Sequence, residues 1–589
     1  MGLSARLRST LIELKATGRT LRHARRLIPG SRWGASELVR LNAERYPGRP
    51  AILYLDQRLT WGELNQAVDR YASFFADRGV GQGDRVSLIM DNRPDFLLIE
   101  TALGRVGATA ALINTNLTRE PLIHAIEIGR PKLCVLGTEH AARVREVASS
   151  LSLPEAALLA QREEPGGPSS DFEEMNASVA RAVPRRHQQT KSGDGMCFIY
   201  TSGTTGLPKA AIITHHRFLL AAHVFGLTVH QASPEDVIYV TLPLYHSSAQ
   251  WAGWGAACTS GAALALRRRF SASAFWDDVE RFGATRFTYI GELCRYLLNQ
   301  PERPNERTHR LQIGVGNGLR PDIWERFTGR FNIPAMREFY GATEGNAPMF
   351  NIEGRPGMVG RLRPGQILVR CDLETGELVR DQRGRCREVS IGETGLLLGR
   401  INAVTRFDGY VDEQATSKKV VHGVLKVGDV YFNSGDLLVR HEDGWASFAD
   451  RVGDTFRFKG ENVSTNEVAE VLNDAPGVLE SNVYGVTVTG MEGRAGMASL
   501  NVDDGFDIDA FASFVTERLP AYQRPYFARV QRQMRVTQTL KHQKVEYRRE
   551  AYDPRLVGED KLYFLDEGSY LPIDDALYAR LSSGELAPR

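Results

Sequence analysis

The sequence predicts an α/β protein in which a large region of mostly parallel sheet precedes a smaller α+β domain. Three observations carry this. The chain is 589 residues long, beyond the size at which one hydrophobic core keeps growing, so two or more domains are expected. Short apolar runs alternate with stretches of helical periodicity between residues 53 and 266, the rhythm of a parallel sheet flanked by helices. Beyond about residue 357 the texture changes to short strands separated by glycine-containing turns, as in a small antiparallel, barrel-like unit.

Residues 1–32 hold Arg6, Arg8, Lys15, Arg19, Arg22, Arg25, Arg26 and Arg32 against the single acid Glu13, with Leu3, Leu7, Leu11 and Leu14 at helical spacing. Such a basic amphipathic segment can lie on an anionic membrane surface. It can equally cover the first domain with its charges in solvent. Leu53-Tyr54-Leu55 and Gln57–Thr60 then predict two strands around a turn at Asp56. Glu63–Arg78 predicts a helix, Arg85–Met90 a buried strand, Phe96–Leu103 a helix and Ala110–Ile113 a strand. Residues 160–192 are polar, with Pro165-Gly166-Gly167-Pro168, and predict a linker or surface excursion. Val237–Val240 and Ala263–Leu266 continue the strand rhythm. Gly365–Val369, Gly376–Leu378 and Thr394–Leu398 begin the antiparallel part. Glu467–Leu472 predicts a helix, and Val483–Val486 and Ala498–Leu500 predict strands, in a C-terminal domain whose boundary falls near 451. The expected organisation is therefore a segment 1–32, an N-terminal domain 33–450 and a C-terminal domain 451–589.

A composition of 42% hydrophobic and 24% charged residues suits a globular protein with large cores. The formal net charge of +2 gives no reason to expect nucleic acid as a partner. Six cysteines without CxxC spacing favour a reducing compartment and argue against a structural zinc site. No apolar run approaches the ~20 residues of a membrane-spanning helix. The expected location is the cytoplasm or the cytoplasmic face of a membrane, and a homodimer is compatible with the sequence.

The chemistry is concentrated in a few loops. Tyr200-Thr201-Ser202-Gly203-Thr204-Thr205-Gly206-Leu207-Pro208-Lys209 follows the apolar run Met196–Ile199. A strand opening into a Gly/Ser/Thr loop turns backbone amides and hydroxyls toward a polyphosphate, and Lys209 adds a cation. The pattern is not a P-loop, because Pro208 precedes the lysine and Ala210 follows it. Tyr340-Gly341-Ala342-Thr343-Glu344-Gly345 offers a ring to stack on a base, a hydroxyl for a phosphate and a carboxylate for Mg²⁺. Asn433-Ser434-Gly435-Asp436 presents a carboxylate after a strand and tight turn, able to accept ribose hydroxyls. Arg451 is within sequence reach of the same sugar or a phosphate. Lys541 and Lys544 flank a polar turn and could neutralise a substrate carboxylate or developing phosphoryl charge. His246, in Leu242-Pro243-Leu244-Tyr245-His246, has neither triad nor metal-ligand spacing and reads as a pocket wall for an acyl group or an ordinary strand-end histidine.

Taken together, these segments resemble the adenylate-forming superfamily of acyl-CoA synthetases, luciferases and adenylation domains. The likeness spans nearly the whole chain, with five motifs in order: Tyr200–Lys209, Tyr340–Glu344, Tyr431–Asp436, Asp450–Asn462 and Thr539–Lys544. Tyr431–Leu437, Asp450–Val463, Leu540–Lys544 and Leu562–Asp566 are most similar to the fatty acid transport protein and very-long-chain acyl-CoA synthetase family. The resemblance implies a large N-terminal domain of mixed α/β sheets with a small β-barrel, and a small mobile C-terminal α+β domain. It implies ATP, Mg²⁺ and CoA as cofactor and co-substrates and a long or very long fatty acid as substrate, with uptake coupled to activation as an option.

By the same resemblance Thr201, Ser202, Gly203, Thr204, Thr205, Gly206 and Lys209 hold the ATP phosphates, and Thr343 and Glu344 organise phosphate and Mg²⁺. Tyr340 and Gly341 flank adenine beside Gly316-Asn317-Gly318, and Asp436 and Arg451 bind ribose. Lys544 aligns with the adenylation lysine, Lys541 being the competitor. The hinge falls near Gly453, where relatives commonly carry an acidic residue or lysine, and Gln543-Lys544 replaces the usual Gly-Lys pair. A fatty-acyl-AMP ligase loading a carrier protein, an aryl or short-chain acid ligase, and a non-catalytic transport or scaffold protein remain as alternatives.

Overall fold

The structure, a computed structural model, describes residues 18, 27–28, 30–164, 166–185, 190–201, 207–373, 375–458, 461–489, 491, 493–535 and 544–588. Most of the basic N-terminal segment lies outside the described residues. The chain forms two compact units: Met1–Pro356 with Ala403–Val420, and Gly357–Asn402 with Val421–Arg589.

Two sheets build the first unit. One runs Glu173–Glu174, Leu158–Gln161, Leu133–Gly137, Arg85–Ile89, Thr109–Leu112, Gly195–Thr201, Lys209–Thr214 across its width. Every neighbouring pair is parallel except the last, which is an antiparallel hairpin. Leu133–Gly137 and Thr109–Leu112 are buried along their whole length, which is why they read as continuous apolar runs rather than alternating ones. The second sheet runs Met349–Asn351, Ala335–Tyr340, Ile313–Asn317, Arg286–Ile290, Val237–Val240, Ala263–Leu266, Pro50–Tyr54, Gln57–Thr60. It is parallel except at its two edges.

Local sequence explains the elements. The Trp61–Asp77 helix opens on a capping box, Thr60 and Glu63 satisfying each other's backbone amides, and buries Trp61, Leu64, Val68 and Tyr71 at helical spacing. The stretch expected as a linker is partly structured. Glu173–Glu174 pairs onto the sheet edge, and Asn176–Arg181 is a short helix that buries Val179, with Met175 buried just before it. Those two apolar side chains outweigh the polar surroundings that made the segment look like an excursion.

The second unit holds a six-stranded sheet and a five-stranded sheet. Five strands of the first follow an antiparallel path, Gly360–Arg361, Trp445–Arg451, Val430–Arg440, Thr394–Arg400, Gln366–Val369. The second runs Val478–Val486, Ala495–Val502, Pro525–Gln531, Lys561–Asp566, Ser569–Pro572, with one parallel pair, Ala495–Val502 beside Pro525–Gln531. The sequence boundary near 451 falls inside this unit. The Asp450 carboxylate accepts from both the amide and the hydroxyl of Thr465 at 2.8 Å, and Asn466 donates to the Ala449 carbonyl at 3.0 Å. Strand Trp445–Arg451 and helix Thr465–Leu472 are thereby tied together.

Asn433–Asp436 was expected as a turn after a strand. It lies instead within the eleven-residue strand Val430–Arg440, at ladder irregularities, with Gly435 at a φ of 77°. The left-handed glycine bends the strand without ending it. Helix Lys544–Glu550 is fastened to its sheet by a fully buried cation: Arg529 donates to Glu550 at 2.6 Å and to Asp560 at 2.7 Å. Removing one partner of such a buried group costs about 3–5 kcal/mol. Among the described residues no helix is long and apolar enough to cross a membrane, and all six cysteines are unpaired.

Candidate nucleotide and acid-activation site

In the first unit the site begins at the hairpin. Strand register sets Thr201 opposite Lys209. Ser202, Gly203, Thr204, Thr205 and Gly206 lie outside the described residues. The segment 409–411 runs along the free side of strand Lys209–Thr214: Ile212 donates to the Gly409 carbonyl at 3.0 Å and Val411 to the Ala210 carbonyl at 2.9 Å. This delivers Tyr410 to the mouth of the hairpin. The side chains of Glu344 and Thr201 both act electrostatically on its hydroxyl, and the Lys209 ammonium stands 5.9 Å from its ring centroid, within cation–π range. Burial, reinforced by the Glu344 carboxylate, raises the Tyr410 pKa above the ordinary tyrosine range, so the phenol keeps its proton. Sequence reasoning missed Tyr410. Its only local signal is a glycine before an aromatic, and its partners lie far away in the chain.

Glu344 is 8% exposed. It sits in a turn closed by Gly345 donating to the Ala342 carbonyl at 3.0 Å, at the end of strand Ala335–Tyr340. Thr343 and Ser247 share a hydroxyl–hydroxyl hydrogen bond of 3.1 Å. Ser247 follows His246, so the loop predicted as an acyl-pocket wall meets the Thr343–Glu344 turn. That loop is braced by Asn92, which accepts from the Leu244 amide at 2.7 Å and donates to the Leu242 carbonyl at 2.8 Å. The His246 ring packs against Tyr245, with centroids 4.6 Å apart.

The Gly316–Gly318 segment closes strand Ile313–Asn317. A Cβ on Gly316 would stand 2.2 Å from the Tyr289 carbonyl oxygen, and Gly318 has a φ of 77°, so both positions demand glycine. Asn317 Oδ1 is buried with no hydrogen-bond partner among the described residues, an acceptor suited to the exocyclic amine of adenine. Glu338, two residues before Tyr340, pins this loop: its carboxyl accepts from the Leu319 amide at 2.6 Å and from the Tyr289 hydroxyl at 3.3 Å. Burial pushes its pKa up to about 8 against those bonds. Sequence reasoning missed Glu338 as well.

In the second unit Asp436 and Arg451 are cross-strand partners, with Arg451 Nε 3.4 Å from Asp436 Oδ1. Asp436 is 8% exposed, whereas the arginine side chain is 56% exposed. Gly453 takes a φ of 83° in the following turn. Lys544 opens the last-but-one helix and donates to the Thr465 hydroxyl at 2.6 Å, with Asp454 at 3.8 Å. Burial raises the pKa of the neighbouring Asp450 although Lys544 opposes it. Lys541 lies outside the described residues.

For Mg²⁺ the relevant carboxylate is Glu344. A cation of that kind is commonly held by one or two carboxylates plus substrate phosphates, and an enclosed carboxylate between Thr201 and Thr343 fits that need. Among the described residues one cluster of three acid and histidine side chains lies elsewhere, Asp91, Glu139 and His140. Arg93 is 3.1 Å from Glu139 and Arg269 is 3.1 Å from Asp91, so its charge is already neutralised.

The model of the family described as "AMP-binding enzyme" matches residues 39–401. Human long-chain fatty acid transport protein 1 is 42% identical over 561 residues, covering 92% of this chain and 86% of its own. A medium/long-chain-fatty-acid–CoA ligase, FadD6 of Mycobacterium tuberculosis, is 40% identical over 549 residues, covering 92% and 90%. Among solved structures, the anthranilate CoA ligase AuaEII in complex with anthranoyl-AMP superposes with a TM-score of 0.76 at 20% identity, over 89% of this chain and 98% of that one. ATP-bound MatB from Rhodopseudomonas palustris gives 0.73 at 22% identity, over 88% and 99%. The chain belongs to the AMP-binding, adenylate-forming enzyme family, in the group of the fatty acid transport proteins and fatty-acid–CoA ligases.

Proposed function

We propose that this protein is an AMP-forming fatty acid–CoA ligase acting on long or very long acids. The observation that carries the reading is the meeting of Thr201, Lys209 and Glu344 around Tyr410, which gathers phosphate-binding and cation-holding groups from three distant segments. The names of the relatives supply the acid class.

In this reading the ATP phosphates lie against Thr201, Lys209 and Thr343, with Ser202–Gly206 supplying amides and hydroxyls. Adenine is held by Tyr340, Gly341 and Gly316–Gly318, and ribose by Asp436 and Arg451. Glu344 would hold Mg²⁺, which neutralises phosphate charge when bound. The fatty acid carboxylate attacks the α-phosphorus, the bond to the pyrophosphate oxygen breaks, and acyl-adenylate forms. Lys544, with Lys541 as competitor, balances the charge of the attacking oxygen and the phosphoryl group. The CoA thiolate then attacks the acyl carbonyl and AMP departs. Alternation between these half-reactions about Gly453 lets different side chains serve each one. His246 stands beside the acyl group as packing. The basic segment 1–32 makes peripheral contact with an anionic membrane, and deleting it is expected to lower partition onto anionic vesicles; unchanged partition would refute that contact.

The test is purified protein with ATP, Mg²⁺, CoA and acids from short to very long chain. Acyl-CoA and AMP are expected, most with long acids. Adenylate that passes only to a carrier protein, or no turnover with any acid, would overturn the reading.

A further inference from the structure

Arg217 makes an unusual set of contacts in the first unit. It lies in the first turn of helix His215–His223, where its amide caps onto Thr214 Oγ1 at 3.2 Å. Its guanidinium donates to three consecutive backbone carbonyls: to Thr343 at 2.5 Å, to Glu344 at 3.0 Å, and to Gly345. No carboxylate among the described residues forms an ion pair with it, although Asp408 and Glu344 act on it at longer range. The Trp251 ring centroid lies 5.8 Å from its Cζ. The Thr214 hydroxyl in turn donates to Asp408 at 3.3 Å, two residues before Tyr410.

Carbonyls of successive residues in extended chain point in opposite directions, so three can converge on one planar cation only if the chain is curled tightly. The turn closed between Ala342 and Gly345 supplies that curl. Its carbonyls are gathered by Arg217, while the Thr343 hydroxyl is bonded to Ser247 and the Glu344 carboxyl acts on the Tyr410 hydroxyl. A fork of five fixed donors can hold such a set; a lysine ammonium, a point donor on a flexible stem, cannot reproduce it.

We propose that Arg217 is a positioning residue for acid activation, fixing the Thr343–Gly345 turn so that the Thr343 hydroxyl and Glu344 carboxylate are presented together to the phosphates and their cation. The inference rests on the ligase reading above. Arg217 touches neither substrate in this scheme; it acts through the turn.

The experiment compares wild type, Arg217→Lys and Arg217→Gln, each checked for cooperative thermal unfolding. The readouts are acid-dependent ATP–pyrophosphate exchange, with KM for MgATP and kcat separated, and thioester formation from supplied acyl-adenylate and CoA. Wild-type exchange tests the ligase reading by itself. Given that exchange, both variants are expected to lose about 100-fold in kcat/KM for MgATP, the scale of a small misplacement of catalytic groups. Their thioester step should stay within about threefold of wild type, because it does not use the metal-holding turn. Guanidinium ion added to Arg217→Gln should recover part of the exchange. Equal losses in both half-reactions, undiminished exchange in Arg217→Lys, or failure of both variants to fold would overturn the assignment, since each makes Arg217 a support of the fold or a bystander.

Discussion

The Lys544 ammonium donates to the Thr465 hydroxyl at 2.6 Å, and that hydroxyl donates to the buried Asp450 carboxylate at 2.8 Å. The lysine proposed for adenylation is therefore engaged by its own unit, with Asp454 as a second counter-charge at 3.8 Å. To act on an acid it must exchange these partners for the substrate's charge. Lys544→Ala is expected to cut pyrophosphate exchange by about 100-fold or more while sparing the thioester step from supplied acyl-adenylate. Single-turnover assays of the two half-reactions check this. If Lys541→Ala shows that pattern and Lys544→Ala does not, Lys544 is an anchor for the Thr465 and Asp454 segment and Lys541 carries the chemistry.

Tyr410→Phe removes one hydroxyl and keeps the ring beneath Lys209. A single polar contact of this kind is worth about 0.5–1.5 kcal/mol, so KM for MgATP should rise roughly 2- to 10-fold. Titration of the exchange reaction with Mg²⁺ at fixed ATP should show a matching loss of cation affinity. A wild-type Mg²⁺ dependence in the variant would separate Tyr410 from the Glu344 site.

Asp436→Asn tests the ribose assignment. Its ion pair with Arg451 involves a mostly exposed arginine, and such pairs contribute about 0–1 kcal/mol. The expected result is weaker ATP binding by calorimetry, with a melting temperature within a few degrees of wild type. A large fall in melting temperature with unchanged ATP affinity would make the carboxylate a structural group of the bulged strand.

The antiparallel-sheet and parallel-sheet regions were legible because their strands obey local rules. Val237–Val240 and Ala263–Leu266 are apolar runs buried on both faces, and they occupy the residues expected. Asn433–Asp436 was misread because its composition is that of a turn, whereas backbone pairing on both sides, Asn433 with Leu398 and Asp436 with Arg451, holds it in a strand. The loops Tyr200–Lys209 and Tyr340–Gly345 drew notice through glycine and hydroxyl density. Tyr410, Glu338 and Arg217 did not. Each acts through partners that only the fold brings near, and each has an ordinary sequence neighbourhood.

Glu338 gives a prediction in pH. Burial raises its pKa from 4.5 to about 8, so the folded state keeps a proton that the unfolded chain releases between those values. Unfolding then releases a proton, and stability falls as pH rises through that window. Glu338→Gln keeps an oxygen for the Leu319 amide and cannot ionise. Its melting temperature should fall less than wild type's between pH 5 and 8, measured by calorimetry in matched buffers, with ATP affinity largely retained. Glu100, also raised to about 8 by burial, leaves a residual slope in both proteins. Identical slopes would mean that Glu338 is ionised in the folded protein.

The most direct test of the central claim, that distant loops assemble one site for activating a fatty acid with ATP, is exchange of labelled pyrophosphate into ATP. With Mg²⁺ and a long-chain acid, and no CoA, label should enter ATP at a rate that depends on the acid and collapses in Glu344→Gln. Absence of exchange with every acid from short to very long chain, in folded protein that binds ATP, would contradict the account.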